Sequence, residues 1–175
     1  MQLKKSAIGL SLLATLVLLF GGWFLYQKME IEEPIRTEVG QIHSATLGQL
    51  IIGKDKIEID LKVTKPENFP QEYRELVANT SKLAGDKEVV IRVVNQSQAM
   101  DDIWKNGQFL FTEAIDLHQY SRIPLMVSEW KSSNKLDEAT ALMDDANIYV
   151  YLKKGTEDFY TIVPRSKEKE VTARG

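Results

Sequence analysis

An unbroken apolar segment near the N-terminus constrains this chain more than any other feature. Residues 7–26 contain no charged side chain. A helix of that length spans about 30 Å, which matches the hydrocarbon core of a bilayer. The segment ends in the bulky run Trp23 to Tyr26, where a signal-peptide cleavage site would need small residues. The sequence therefore predicts an uncleaved transmembrane helix at 7–26.

The charges on either side of this segment predict its orientation. Lys4 and Lys5 precede it, whereas Lys28 and Arg36 on the other flank are mixed with three glutamates. Basic residues are retained on the cytoplasmic side, so residues 1–6 are expected in the cytoplasm. The long C-terminal part is then extracytoplasmic, on a single-pass protein of a bacterial cell envelope.

Two further expectations concern the span itself. Aromatic side chains concentrate at membrane–water interfaces, so Trp23 and Tyr26 are expected at that boundary. Small residues recur on the helix at intervals of four and seven, which allows two helices to approach closely. These candidate helix-pairing residues are Ala7, Ser11, Thr15 and Gly22. The alternative interpretation is that small residues are simply common in membrane spans, so homo-oligomerisation through this helix is a hypothesis.

Composition limits the remainder of the chain, beyond the span, to one ordinary domain. The chain has 175 residues, 43% of them hydrophobic and 27% charged, which is a globular balance. Its net charge is −3 and it has no basic stripe, so nucleic acid is not an expected partner. It contains no cysteine, which excludes disulfides and thiolate metal sites.

Residues 27–46 are polar with scattered apolar positions and are interpreted as a stalk, with a short helix or strand after Pro34. Residues 47–165 are interpreted as the extracytoplasmic domain, and residues 166–175 as a disordered tail. The domain is expected to begin and end with β-hairpins, at 47–63 and 147–165, each around a glycine-containing turn.

Between the hairpins, residues 71–85 have helical spacing and residues 88–94 form a β-branched run, which predicts a strand–helix–strand unit with a right-handed crossover and two parallel strands. A long amphipathic helix follows. Its apolar stripe consists of Met100, Ile103, Trp104, Gly107, Leu110, Phe111, Ala114 and Ile115. Residues 124–130 fit either an edge strand or an extended loop, and residues 136–145 favour a short helix. The predicted fold class is α+β, with one mixed sheet and the order β-β-α-β-α-α-β-β.

No stretch of the sequence carries a recognisable catalytic motif. Phosphate-binding glycine loops, nucleophile elbows and zinc-binding helices leave characteristic spacings, and none of these spacings occurs here. His43 is expected to be solvated and His118 to lie at a helix end. Glu113 and Asp116 share a helix face but are interpreted as a solvated pair. No catalytic, cofactor-binding or metal-binding residue is therefore assigned.

Three hypotheses about function remain. The first is a non-enzymatic protein whose outer domain binds another membrane or envelope protein, as a scaffold or accessory subunit. Phe109 lies off the apolar stripe and is the candidate partner-facing residue, although it would also fit beneath a neighbouring loop. The second is a domain that senses a small molecule or wall fragment. The third is a membrane-tethered hydrolase that uses Glu113, Asp116 or His118.

Overall fold

A computed structural model describes the backbone of residues 3–165 and the side chains of residues 8–26 and 28–165. The predicted disordered tail, 166–175, lies outside these residues, as do Met1 and Gln2. The elements, in chain order, are α1 Leu3–Tyr26, a π-helical segment Gln27–Glu32, α2 Glu33–Gly40, β1 Ala45–Ile52, β2 Lys56–Val63, α3 Phe69–Ala84, β3 Glu88–Val93, α4 Gln98–Asp116, a 3₁₀ turn Tyr120–Arg122, α5 Ile123–Asn134, β4 Glu138–Met143, β5 Asn147–Lys154 and β6 Glu157–Pro164.

The N-terminal apolar segment forms one helix that is long and apolar enough to cross a membrane. Helical structure continues from α1 through the π-helical segment into α2 without a break. Ile35 and Val39 of α2 are buried in the core of the domain, and Ile31 packs against that core. The helical part of the predicted stalk, residues 27–40, therefore contributes three apolar side chains to the folded domain, because residues spaced by four share one face of a helix.

The strands form two small sheets rather than the single mixed sheet that was predicted. Sheet A has the order β1-β2-β3, with β1 and β2 antiparallel and β2 and β3 parallel. Sheet B has the order β4-β5-β6 and is antiparallel throughout. Both predicted hairpins and the predicted parallel pair are present, and the α+β class is confirmed.

Two predictions are wrong: residues 124–130, for which an edge strand or an extended loop was expected, are helical, and residues 136–145, for which a short helix was expected, contain a strand. Residues 124–130 lie within helix α5, because Pro124 occupies a first-turn position where its missing N–H is not needed. Residues 136–145 contain strand β4, which pairs with β5 along its whole length. Six residues of strand pairing outweigh the modest helix preference of alanine, leucine and methionine. From β1 onward, the order of helices and strands along the chain is therefore β-β-α-β-α-α-β-β-β, one element more than predicted.

Two hydrophobic clusters hold the domain together. The first, the α3 core, lies between helices α2 and α3 and one face of both sheets, and includes Phe69, Ile59 and Tyr160. The second, the α4–α5 core, lies between those two helices and the opposite face of sheet B, and includes Phe111 and Val150. No residue of β1, β2 or β3 belongs to the α4–α5 core. Sheet B is thus covered on both faces.

Candidate functional site

A groove between the two sheets of the folded domain has a volume of about 390 Å³. That volume falls within the usual range for binding sites. Strand β3 forms one wall, strand β6 forms the other, and Tyr73 of α3 contributes to the lining. The residues of this β3–β6 groove are Tyr73, Ile91, Arg92, Val93, Gln96, Asn147, Tyr160, Thr161, Ile162 and Pro164.

The groove is closed at one end, where the sheets begin to join. The Ser97 N–H donates to the Asp158 carbonyl oxygen, and the Tyr160 N–H donates to the Asn95 carbonyl oxygen, both at 2.9 Å. Gln96 and Phe159 form an antiparallel bridge between these bonds. Beyond this point the two strands separate, so the groove begins where the pairing stops.

Asn95 is the central residue of this joint. Its side-chain oxygen accepts from the Val63 N–H at 2.7 Å, and its side-chain nitrogen donates to the Val63 carbonyl oxygen at 2.9 Å. The same nitrogen donates to a carboxylate oxygen of Asp158 at 2.6 Å. Asn95 is 2% exposed. The buried side-chain amide of Asn95 therefore pairs with β2 as the backbone of a neighbouring strand would, and it also bonds to sheet B.

The β3 wall presents backbone groups to the groove that have no partner among residues 3–165. The Glu88 N–H donates to the carbonyl oxygen of Asp55, the residue before β2, and the Val94 N–H donates to the carbonyl oxygen of Leu61 in β2. In a parallel pair, alternate residues face the same neighbour, so Val90 and Arg92 also face β2. The intervening residues face away from β2. The N–H and C=O groups of Ile91 and Val93 consequently form the edge of sheet A along the groove.

The β6 wall follows the same rule in an antiparallel pair. Tyr160 faces away from β5, because its N–H donates to Asn95, and the alternation places Ile162 and Pro164 on the same edge. Ile162 thus directs both its N–H and its C=O into the groove. Pro164 has no N–H to offer, a common way for an edge strand to limit further pairing.

The side chains around the groove are mostly uncharged. Burial, with a smaller contribution from Asp144, raises the pKa of the Tyr73 hydroxyl. Tyr160 is 1% exposed, and burial followed by the nearby Tyr149 raises the pKa of its hydroxyl as well. Within the described residues, that hydroxyl has no hydrogen-bond partner. Among the described residues of the lining, Arg92 is the one with a charged side chain, and its guanidinium donates to Asp60 at 2.8 Å and to Glu58 at 3.1 Å.

Two smaller cavities lie elsewhere. One, of about 60 Å³, is lined by acidic and polar residues of α2 and α3, including Glu38, Glu72 and Asn79. The other, also of about 60 Å³, lies between α5 and β4 and includes Tyr120 and Met143. Ligand sites usually have volumes of about 300–1,000 Å³, so each of these cavities is several times smaller than a typical ligand site.

Glu72 also anchors the loop between α2 and β1. Burial opposes ionisation of its carboxyl group, but the Ser44 hydroxyl, the Ser44 N–H and the His43 N–H all donate to it and hold its pKa below the ordinary value. The shortest of these bonds, from the Ser44 hydroxyl, is 2.5 Å. His43 itself is exposed and supplies its backbone to this contact.

The candidate partner-facing residue Phe109 lies on α4 with 79% of its surface exposed. It is therefore not packed beneath a loop. Its neighbour Leu110 is 58% exposed, so its predicted place on the buried stripe is wrong. The buried stripe of α4 is therefore narrower than predicted. It includes Gly107 and Phe111, which lie on the side of α4 that α5 covers. Neither exposed residue belongs to the groove.

The proposed hydrolytic residues lie at the C-terminal end of α4. The helix ends at Asp116, and His118 follows in a left-handed conformation with φ of 55°. Glu113, Asp116 and His118 are all exposed, and none lines the groove or the two smaller cavities. Among residues 3–165, no group of three histidine, aspartate or glutamate side chains is placed to share a metal ion.

In the apolar helix, the Thr15 hydroxyl donates to the Ser11 carbonyl oxygen at 2.9 Å. Trp23 and Tyr26 are each about three-fifths exposed at the end of α1, and a side chain at Gly22 would meet nothing within 4 Å. Ala7 lies on the same helix. The roles assigned to these residues in helix pairing and at the membrane interface stay predictions.

Sequence reasoning missed the groove and its joint. The unpaired groups belong to the backbones of Ile91, Val93 and Ile162, whose side chains give no sign of the edge. The available signal was the change from the β-branched run to Asn95 and Gln96. Comparison with protein-family models, with curated proteins and with solved structures finds no match for this chain.

Proposed function

We propose that this chain is a non-enzymatic, single-pass membrane protein whose domain binds another protein of the cell envelope at the β3–β6 groove. The observation that carries the proposal is the pair of unpaired strand edges that face the groove. Exposed strand edges are a liability for a soluble domain, and proteins normally cover or shorten them. Here the two edges flank an opening large enough to admit a partner.

The apolar helix supports the second part of the proposal. It continues into α2, whose Ile35 and Val39 are buried in the domain core. Helix α2, which packs against the domain core, therefore connects the apolar helix to the domain. Tyr26 and Ile35 are nine residues apart, about 14 Å along a helix, which would hold the domain close to the membrane surface.

Site-specific photo-crosslinking in cells of the source organism tests the binding site. A diazirine-lysine in place of Gln96, an exposed residue of the groove lining, puts a reactive group at the groove and leaves Arg92 intact, and the same residue in place of Lys131 serves as a control on exposed α5. The expected result is one discrete protein adduct from position 96 and none from position 131. Equal adducts from both positions, or none from either, would contradict a binding site in the groove.

The orientation has its own test, made simple by the absence of cysteine. A Ser133→Cys variant carries a single thiol on the exposed surface of α5. In intact cells, a membrane-impermeant maleimide should label it if the domain is extracytoplasmic. Labelling that requires cell lysis would instead place the domain in the cytoplasm.

A further inference from the structure

We infer that the partner presents an extended segment, which enters the β3–β6 groove as an additional strand. This inference rests on the proposed function and specifies how the partner is recognised. Main-chain hydrogen bonds supply the affinity in such strand addition, and the side chains at alternate positions supply the selectivity.

The chemistry of the groove walls selects this occupant. Three edge residues of the walls, Ile91, Val93 and Ile162, have no backbone partner for either group among residues 3–165. Each needs a donor and an acceptor in the plane of the sheet. An extended polypeptide supplies both at the strand repeat of about 3.3 Å per residue, whereas a sugar or lipid has no matching repeat.

The two walls pair with each other only at the closed end, so an additional strand is required to pair with both of them along the groove. Asn95 bonds to Tyr160, and continuing that register would pair Val93 with Ile162 and Ile91 with Pro164. The strands instead diverge after the first pair and leave about 390 Å³ between them. Because β3 and β6 run antiparallel, an inserted segment would be antiparallel to one wall and parallel to the other.

Charge narrows the partner further. Within residues 3–165, Arg92 is the one charged residue of the groove lining, and it remains about half exposed while it bonds to Asp60 and Glu58. A guanidinium has five N–H donors, so Arg92 retains donors for a further carboxylate. The segment therefore carries an aspartate or glutamate beside Arg92.

Amide hydrogen exchange on the full-length chain in detergent tests the inference directly. The probes are two heptapeptides, acetyl-TVTETVT-amide and acetyl-TVTKTVT-amide, and a form of the first that is N-methylated at alternate residues. In the free protein, the amides of Ile91, Val93 and Ile162 should exchange rapidly. With about 1 mM of the glutamate peptide, their protection should rise at least about ten-fold, as expected for occupancy of a weak peptide site.

The neighbouring amides of Val90 and Arg92 provide the internal control, because β2 already binds them. The lysine peptide should protect less than the glutamate peptide, and the N-methylated peptide should not protect at all. Protection that survives N-methylation would overturn strand addition while leaving protein binding in the groove intact. Failure of both unmodified peptides to protect would also overturn the inference.

Protection before any peptide is added would mean that the edges are already paired, and would overturn the inference in one of three ways. If it grows with protein concentration, a second copy of the chain is the occupant. If it disappears when residues 166–175 are deleted, that segment is the occupant. If it depends on neither, β3 and β6 pair directly with each other.

Discussion

The two sheets have three strands each but differ in how many of their faces are buried. In β2 of sheet A, the apolar residues Ile57, Ile59 and Leu61 are buried, and the acidic residues between them lie on the other face. In β5 of sheet B, five consecutive residues, from Ile148 to Leu152, are buried. Odd-numbered positions of β5 enter the α3 core and even-numbered ones enter the α4–α5 core. The pattern of apolar residues in a strand therefore indicates whether one or both of its faces are covered.

The open face of sheet A is occupied by charges rather than by a helix. Lys56 and Arg92 both pair with Glu58, and Arg92 also pairs with Asp60. In these pairs the cations are about half exposed and the carboxylates less so, and ion pairs at a protein surface typically contribute less than about 1 kcal/mol each. The ion pairs keep this face polar but stabilise the sheet only slightly. The stability of sheet A therefore depends mainly on the α3 core.

A matched pair of valine-to-lysine substitutions gives the largest expected contrast between the sheets. Val150 is fully buried between β5 and helices α4 and α5, so Val150→Lys places an unpaired charge in the core. We expect it to lower the free energy of unfolding by at least about 4 kcal/mol, measured by urea titration with tryptophan fluorescence.

Val90→Lys is the control on the open face of sheet A, where Val90 lies opposite Glu58 in the register. A lysine there would lie at the surface beside Glu58, which already pairs with Lys56 and Arg92, so the change should stay within about 0.5 kcal/mol. Similar losses for the two variants would show that sheet A is covered on both faces and would remove the basis of the comparison.

The joint between the sheets should be the next most sensitive position. Asn95→Ala removes three hydrogen bonds and leaves both the N–H and the C=O of Val63 unsatisfied in a buried place. Each unsatisfied buried group costs about 1–3 kcal/mol, so we expect a loss of about 3 kcal/mol in the same titration.

The control for the joint is Asn79→Ala, which removes one partly buried bond, to Glu38. Its expected loss is below about 1 kcal/mol. If Asn95→Ala were as mild as Asn79→Ala, the two sheets would be held together by their shared α3 core, with little contribution from the joint.

The helix pair that covers sheet B supplies a third contrast, at two glycines. A Cβ at Gly107 would lie 2.2 Å from the Trp130 ring, whereas a Cβ at Gly40 would meet nothing within 4 Å. Although alanine is the better helix former, Gly107→Ala should destabilise the domain by about 2 kcal/mol through overpacking. Gly40→Ala should be neutral or slightly stabilising. A neutral Gly107→Ala would mean that α4 and α5 separate easily above sheet B.

The sequence predicts sheet A better than sheet B, and the reason is physical. The alternation in β2 reports a half-covered strand, and the turn residues on either side mark the hairpin. In contrast, Ala139 and Ala141 of β4 pack against the α4–α5 core, where small residues suit close approach of a helix. Their composition resembles a helix, and only the partner strand β5 makes them a strand.

The candidate site is harder to predict than either sheet. The groove depends on where β3 and β6 stop pairing, which is decided by Asn95 and by elements far apart in the sequence. The apolar spacing of Ile31, Ile35 and Val39 did contain a readable signal, since helical periodicity at four-residue steps indicates a packed face. The edge groups of Ile91 and Ile162 had no such signal, because every residue has the same backbone.

Acid stability offers the smallest expected effect and compares one carboxylate in each region. Glu72 serves the α2–β1 loop beside sheet A, and Asp144 serves the β4–β5 turn of sheet B. In Asp144, burial raises the pKa, but donation from the Tyr149 hydroxyl and from the N–H groups of Asn147 and Ala146 lowers it, as does Arg74, and the net pKa is below the ordinary value. A carboxylate with a lowered pKa stabilises the fold fully above its unfolded pKa, and that stability is lost as the pH falls through the folded pKa.

The loss should therefore begin as the pH approaches the ordinary values of 4.5 for Glu72 and 3.8 for Asp144, and continue below them. Glu72→Gln and Asp144→Asn should each cost about 1 kcal/mol at pH 7 and less at pH 3, where the wild-type groups are themselves becoming protonated. Urea titrations at the two pH values measure this difference. A constant cost across the pH range would show that shape and hydrogen bonding, rather than charge, account for the contribution of each side chain. Unequal pH dependence would identify which of the two carboxylates contributes more to the acid sensitivity of the domain.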